Sequence, residues 1–127
     1  MLWHLLRGLL LCLLLSSCAM KSKESPPGPF ISWAGHDLVG TTLSLESPSG
    51  LPTYRFENGG WVFATIGDSK VQAAPSYRWQ LDTEGVLRIS NDGRSKASLH
   101  LISMTDGKVT VWNETNGATE TYRRKKR

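Results

Sequence analysis

From Leu38 onward, apolar and polar residues alternate in short runs. Tyr54 and Phe56 alternate with Arg55 and Glu57, Tyr77, Trp79 and Leu81 with Arg78, Gln80 and Asp82, and Leu87 and Ile89 with Arg88 and Ser90. Successive strand side chains point to opposite faces, so each run describes a strand with one apolar and one wet face. Strands are predicted at Leu38–Glu46, Thr53–Glu57, Gly60–Ile66, Lys70–Ala74, Ser76–Asp82, Val86–Ser90, Lys96–Ser103, Lys108–Asn113 and Ala118–Arg124. Between them fall Asn58-Gly59, Gly67-Asp68, Thr83-Glu84-Gly85, Asn91-Asp92-Gly93, Asp106-Gly107 and Asn116-Gly117. Such residues tolerate the positive φ that tight hairpins need. The pattern predicts an all-β antiparallel meander of eight or nine short strands, with a short turn at Phe30–His36.

Gly60–Ile66 departs from the rule. Trp61 and Phe63 share one face, while Val62, Ala64 and Ile66 share the other. A strand apolar on both sides needs two covers. The N-terminal piece Phe30-Ile31-Trp33 is the expected second cover, with a partner or a ligand as the alternatives.

The chain opens differently. A short start carrying His4 and Arg7 leads into a leucine run, interrupted by Gly8 and Cys12, that ends in Leu15-Ser16-Ser17-Cys18. This is the order of a secretory signal, with a run too short for a comfortable membrane span of roughly 20 residues. Leu15-Ser16-Ser17-Cys18 resembles the lipobox of bacterial lipoproteins. The resemblance implies a signal helix at residues 1–17, cleavage before Cys18, acylation of the Cys18 thiol and a lipid anchor in the membrane. The thiolate is the reactive nucleophile such a transfer needs, and two or more acyl chains hold a protein far more firmly than one. Ala19, which is not the aspartate associated with inner-membrane retention, implies the outer membrane. An ordinary signal peptide and an uncleaved anchor are the rival readings.

Residues 18–29 are polar and proline-rich, Ser25-Pro26-Pro27-Gly28-Pro29 above all. They read as a solvated tether to a single domain at residues 30–122. Cys12 falls in the signal segment and Cys18 is the lipidation site, so the expected mature domain has no thiol for a disulfide, a metal or redox chemistry. Packing alone must hold it. The formal net charge of +4 is concentrated at one end, since Arg123-Arg124-Lys125-Lys126-Arg127 carries five positive charges. Between Cys18 and Tyr122, nine Lys or Arg stand against eleven Asp or Glu, so no nucleic-acid-binding face is expected there. Residues 123–127 read as a solvated basic tail, whose functional reading is attraction to anionic lipid or another acidic surface.

Strands in hairpin order can close into a barrel and so remove exposed edges; a two-sheet sandwich is the alternative. The run of strands from Leu38 to Tyr122 resembles small bacterial lipocalin-like domains. It departs from them at Gly40-Thr41-Thr42, which lacks the family's tryptophan, and Trp33 lies upstream instead. The resemblance implies a barrel that binds a small apolar ligand, with Tyr54, Phe56, Trp61, Phe63, Tyr77 and Trp79 as candidate ligand-binding residues. Trp112 is a further aromatic that could line a pocket. Simple packing of the barrel is the competing role for all of them.

Catalysis is not expected. His36-Asp37 is an adjacent histidine–carboxylate pair, but it lies just before the first strand, where a cap or surface role is the plainer reading. His100, opposite in parity to Leu99 and Leu101, is expected to face solvent. There is no Gly-x-Ser-x-Gly elbow, Ser-x-x-Lys motif or phosphate-cradling loop, and no ligand spacing for a metal. No cofactor is expected. The sequence thus points to a membrane-anchored binding domain of the cell envelope. It either carries a small apolar molecule inside the barrel or docks on an envelope protein through a barrel face or the Gly60–Ile66 strand.

Overall fold

The computed structural model describes residues 25–68 and 70–127. The signal segment and Cys18 lie outside the described residues. Among the described residues nine strands form: β1 (Thr41–Leu45), β2 (Thr53–Glu57), β3 (Trp61–Gly67), β4 (Gln72–Ala73), β5 (Ser76–Leu81), β6 (Leu87–Asn91), β7 (Arg94–Met104), β8 (Lys108–Asn113) and β9 (Ala118–Lys126). Among the described residues there is no α-helix, only a 3-10 turn at Asn58–Gly60. Each strand except β4 pairs antiparallel with its neighbours in the chain, and β1 pairs with β9. The result is a closed eight-strand up-and-down barrel. The two-residue β4 is an appendage on the end of β3. Closure leaves none of the eight strands with a free edge, and it excludes the sandwich.

The predicted alternation becomes a set of inward-facing rows. Leu43, Tyr54 and Ala64 are successive cross-strand partners, as are Phe56, Val62 and Tyr77, and Trp79, Ile89 and Ala97. With Leu87, Leu99, Leu101, Val109, Val111 and Tyr122 they make one continuous core. Eight strands enclose a space that side chains can just fill, and here aromatic rings do much of the filling. Phe56 and Trp79 meet edge to face with ring centres 5.6 Å apart. Irregularities at Ile89/Ser90 and Leu101/Ser103 interrupt the ladders of β7, the local kinks that let a sheet coil on itself.

The piece before β1 is part of the barrel. Trp33 is fully buried, and its indole Nε1 donates to the Leu99 carbonyl at 2.8 Å. Its backbone N–H donates to the Gly85 carbonyl in the β5–β6 turn, and Ile31 N–H donates to Leu101 O. Segment 30–38 therefore joins the core beside the β5–β6 turn, with Trp33 and Leu38 inside. This corrects the expected cover for β3, because Phe30, Ile31 and Trp33 pack at β7, β8 and the β5–β6 turn rather than over Trp61 and Phe63. The turn they rest on is itself braced. Asp82 accepts from the N–H groups of Val86 and Glu84 and from the Arg88 side chain, and these bonds, that from Val86 foremost, hold its carboxyl below the usual range.

The C-terminus also departs from expectation. Residues 123–126 continue β9 instead of fraying, and Thr41, Thr42, Leu43 and Ser44 pair with Lys126, Lys125, Arg124 and Arg123. Arg127 N–H donates to Gly40 O, and its side chain pairs with Glu57. That bond, ahead of other causes, holds the Glu57 carboxyl low. The basic run is thus the last rung of the barrel's closure.

Candidate functional site

Parity divides the six candidate aromatics. Tyr54, Phe56 and Tyr77 point inward and are buried, and Trp79 is half-buried against them. Trp61 and Phe63, being of opposite parity to Val62 and Ala64, point outward and are 45% and 40% exposed. The structure therefore assembles two groups where the sequence suggested one.

The inner group is packed into the core. Trp79 Nε1 donates to Glu57 O at 3.3 Å. Tyr54 and Tyr122 rings lie 6.2 Å apart, and Tyr122 O–H donates to Glu120 Oε1 at 3.0 Å. Asn113 and Asn116 donate to the same carboxylate at 3.0 and 3.3 Å. Burial, then the Glu120 charge and Tyr77, push the Tyr54 hydroxyl up to about 12, and burial raises Tyr122 further. Glu120 spends its lone pairs on neighbours within the fold, the mark of a structural network rather than of a vacant acceptor.

The outer group is built by cross-strand pairing. Arg78 on β5 is the register partner of Trp61, and its guanidinium lies 4.3 Å from the indole centre. Arg55 on β2 is the partner of Phe63, with its guanidinium 5.2 Å from the ring. Each stack contributes about 0.5–1 kcal/mol at an exposed site. Gly60 makes room for the first, since a Cβ there would meet Arg78 Nη2 and the Trp79 carbonyl at 3.3 Å. Arg55 shares its charge with Glu57 at 3.0 Å. Arg78 has no carboxylate within ion-pair distance among the described residues. Beside Phe63 the surface dips into a hollow of about 450 Å³, lined by Thr42, Thr53, Arg55, Phe63, Thr65 and Ala74. An aromatic ridge, a free guanidinium and a hydroxyl-lined hollow thus lie together on the outer face of β1, β2, β3 and β5. Such a surface can take an apolar side chain on the rings and an anion at Arg78.

Among the described residues, His36 and His100 are not brought together with each other or with a nucleophile. His36 is exposed, while Asp37 holds Lys126 at 3.3 Å. His100 lies on the outer face by parity but does not meet solvent as expected. Phe30 folds over it with ring centres 4.7 Å apart, and Trp112 completes a cluster of three rings, 5.4 Å from His100 and 6.1 Å from Phe30. Glu114 Oε1 is 3.5 Å from its Nε2. Trp112 is correspondingly buried on the outer surface rather than in a pocket. The Phe30 cover could not be found from local pattern, since it comes from a segment far from β7 in sequence. Among the described residues no cluster of three His, Cys, Asp or Glu side chains could hold a metal ion.

No protein-family model matches the chain, and no curated protein or solved structure is significantly similar to it.

Proposed function

We propose that this chain is a lipid-anchored envelope protein whose barrel is a docking module. It would bind an acidic protein segment on the outer face of β2, β3 and β5. The observation that carries the reading is the outward pair Trp61 and Phe63, each under an arginine, on a barrel whose inner positions are occupied by its own packed side chains. A large aromatic left in water gains most from being covered, and Trp, Tyr and Arg are the side chains that most often dominate binding energy. Arg78 adds an unpaired positive charge where a partner's carboxylate would be desolvated. The anchor rests on Leu15-Ser16-Ser17-Cys18 alone. It would hold the module at a membrane, where a modest affinity suffices because the partner shares the same surface.

The carrier reading has less support, because Tyr54, Phe56 and Tyr77 already fill the interior it would need. Two measurements test the choice. A photo-crosslinker at position 63 of the full chain, in intact envelopes, should yield one protein adduct through an acidic segment. The purified pair should then bind with an affinity that falls with salt and drops roughly 30-fold in Trp61→Ala, about 2 kcal/mol for a central anchor. A lipid or metabolite retained in native mass spectrometry, lost on changing Tyr54 or Tyr77 but not Trp61, would overturn the docking reading. For the anchor, Cys18→Ser should abolish acylation and release the chain from membranes; unchanged acyl mass would end that part.

A further inference from the structure

The basic run at the C-terminus is not absorbed by the docking face, and the fold gives it a definite setting. β9 carries it alongside β1, and Lys108 at the start of β8 is the direct cross-strand partner of Arg123. The β1–β2 loop, with Ser47 and Ser49, turns beside them and leaves an open groove of about 1400 Å³. Lys108, Arg123, Arg124 and Lys125, from two parts of the chain, line it; Lys108, Arg123 and Lys125 share the outward face, while Arg124 is the register partner of the buried Leu43.

The charges in this groove are unbalanced. Glu46 is the one carboxylate lining it, 3.4 Å from Lys108 Nζ and 3.9 Å from Arg123 Nε. Arg124 and Lys125 have no carboxylate within ion-pair distance among the described residues. On β1, the partners opposite Arg123 and Lys125 are Ser44 and Thr42, small hydroxyl residues where a carboxylate would have neutralised them. Like charges directly opposite, as in Lys108 and Arg123, work against the sheet. A bound anion would reverse that cost.

We propose that this groove is a binding site for phosphate-bearing anions. Three outward cations against one carboxylate leave an excess that one carboxylate ligand could not match but a multivalent phosphate or a pair of headgroups could. Arginine supplies a planar fork that fits phosphate oxygens in pairs, lysine a mobile point charge, and the serines neutral donors. The site stands on β1, β8 and β9, and the proposal does not depend on the docking face at Trp61.

The test is lysine footprinting on the full chain in neutral detergent, with an amine-reactive label read by mass spectrometry. Inorganic pyrophosphate should protect Lys108 and Lys125, with Lys70 and Lys96 unchanged and sodium chloride at equal ionic strength without effect. The same chain in nanodiscs with phosphatidylglycerol, against nanodiscs of zwitterionic lipid only, separates the two sources. Protection in both arms or in one supports the site and says whether lipid headgroup, free phosphate or either is accepted. Changing the exposed Lys125→Gln together with Arg123→Gln should weaken pyrophosphate protection of Lys108 roughly tenfold, as expected for the loss of charged hydrogen bonds. Ser47→Ala and Ser49→Ala, distant in sequence from the basic run, should weaken it less but measurably. Unchanged reactivity of Lys108 and Lys125 in every arm, or equal protection of Lys70 and Lys96, would overturn the proposal.

Discussion

The indole of Trp33 donates to the carbonyl of Leu99 from 66 residues away in sequence, at 2.8 Å and out of water. This bond fastens the chain before β1 to the middle of β7 and makes a residue outside every strand part of the core. Trp33→Ala should cost about 3–5 kcal/mol, the range for deleting a large buried ring. Trp33→Phe keeps most of the ring but leaves the Leu99 carbonyl without that donor, and should cost about 1–3 kcal/mol. Urea titration followed by circular dichroism measures both; a Trp33→Phe variant as stable as the parent would mean that the hydrogen bond contributes nothing.

Gly85 lies directly beneath the same segment. Its φ is +78°, and a Cβ there would come within 1.9 Å of Ser32 Oγ and 2.7 Å of Ser32 Cβ. Gly35 has a similar φ of +87° but open space around it. Gly35→Ala should therefore show only backbone strain, about 1–2 kcal/mol. Gly85→Ala should cost clearly more and also lift the segment, seen as faster amide exchange at Ile31 and Trp33. Matching losses for the two variants would remove the steric account.

Alkali should open the barrel through its tyrosines. Tyr54 is held near 12 and Tyr122 higher, against 10.0 for a free tyrosine. Below pH 10 both are neutral, folded or unfolded, and stability is unaffected. Above it the unfolded chain loses protons that the folded chain keeps, so stability falls as pH rises from 10 to about 12. Tyrosinate absorbance from these residues should rise together with loss of β-sheet circular dichroism. Tyr122→Phe should make the fall shallower, and tyrosinate signal from a still-folded barrel would contradict the buried placement.

Removing residues 123–127 should do more than remove charge. Of the five register pairs between β1 and β9, only Leu45 with Tyr122 would remain. The truncated chain should lose cooperative unfolding. Replacing all five basic residues by glutamine preserves the backbone ladder and should leave a folded barrel, measurable by thermal melting. A truncated chain as stable as the full one would mean that closure does not need this strand end.

Much of the barrel is legible from residue order because strand period and turn chemistry are local. The predicted Thr53–Glu57 and Lys108–Asn113 coincide with β2 and β8, and the hairpin turns fall between the strands where glycine, asparagine and aspartate cluster. Asp92 and Gly93, with φ of 50° and 76°, show why that cluster turns the chain. Alternation also groups Trp61 with Phe63 and Val62 with Ala64. It is silent on which pair goes inside, because both are apolar and the choice depends on the curvature and neighbours of β3. Predicted β4 was longer than the two residues observed, since pairing with β3 is confined to Ile66 and Gly67.

Residue order alone determined the all-β class, the meander, the turns and the division of every strand into two faces, because each follows from chemistry within a few residues. Tertiary structure decided the rest. Pairing β1 with β9 turned a basic run that reads as a tail into a strand, because its N–H and C=O groups found partners at the other end of the chain. The folded barrel also buried Trp33 at the β5–β6 turn and laid Phe30 across His100. These are contacts between residues distant in sequence, set by how eight strands tilt and close around one core, and no local pattern carries that information.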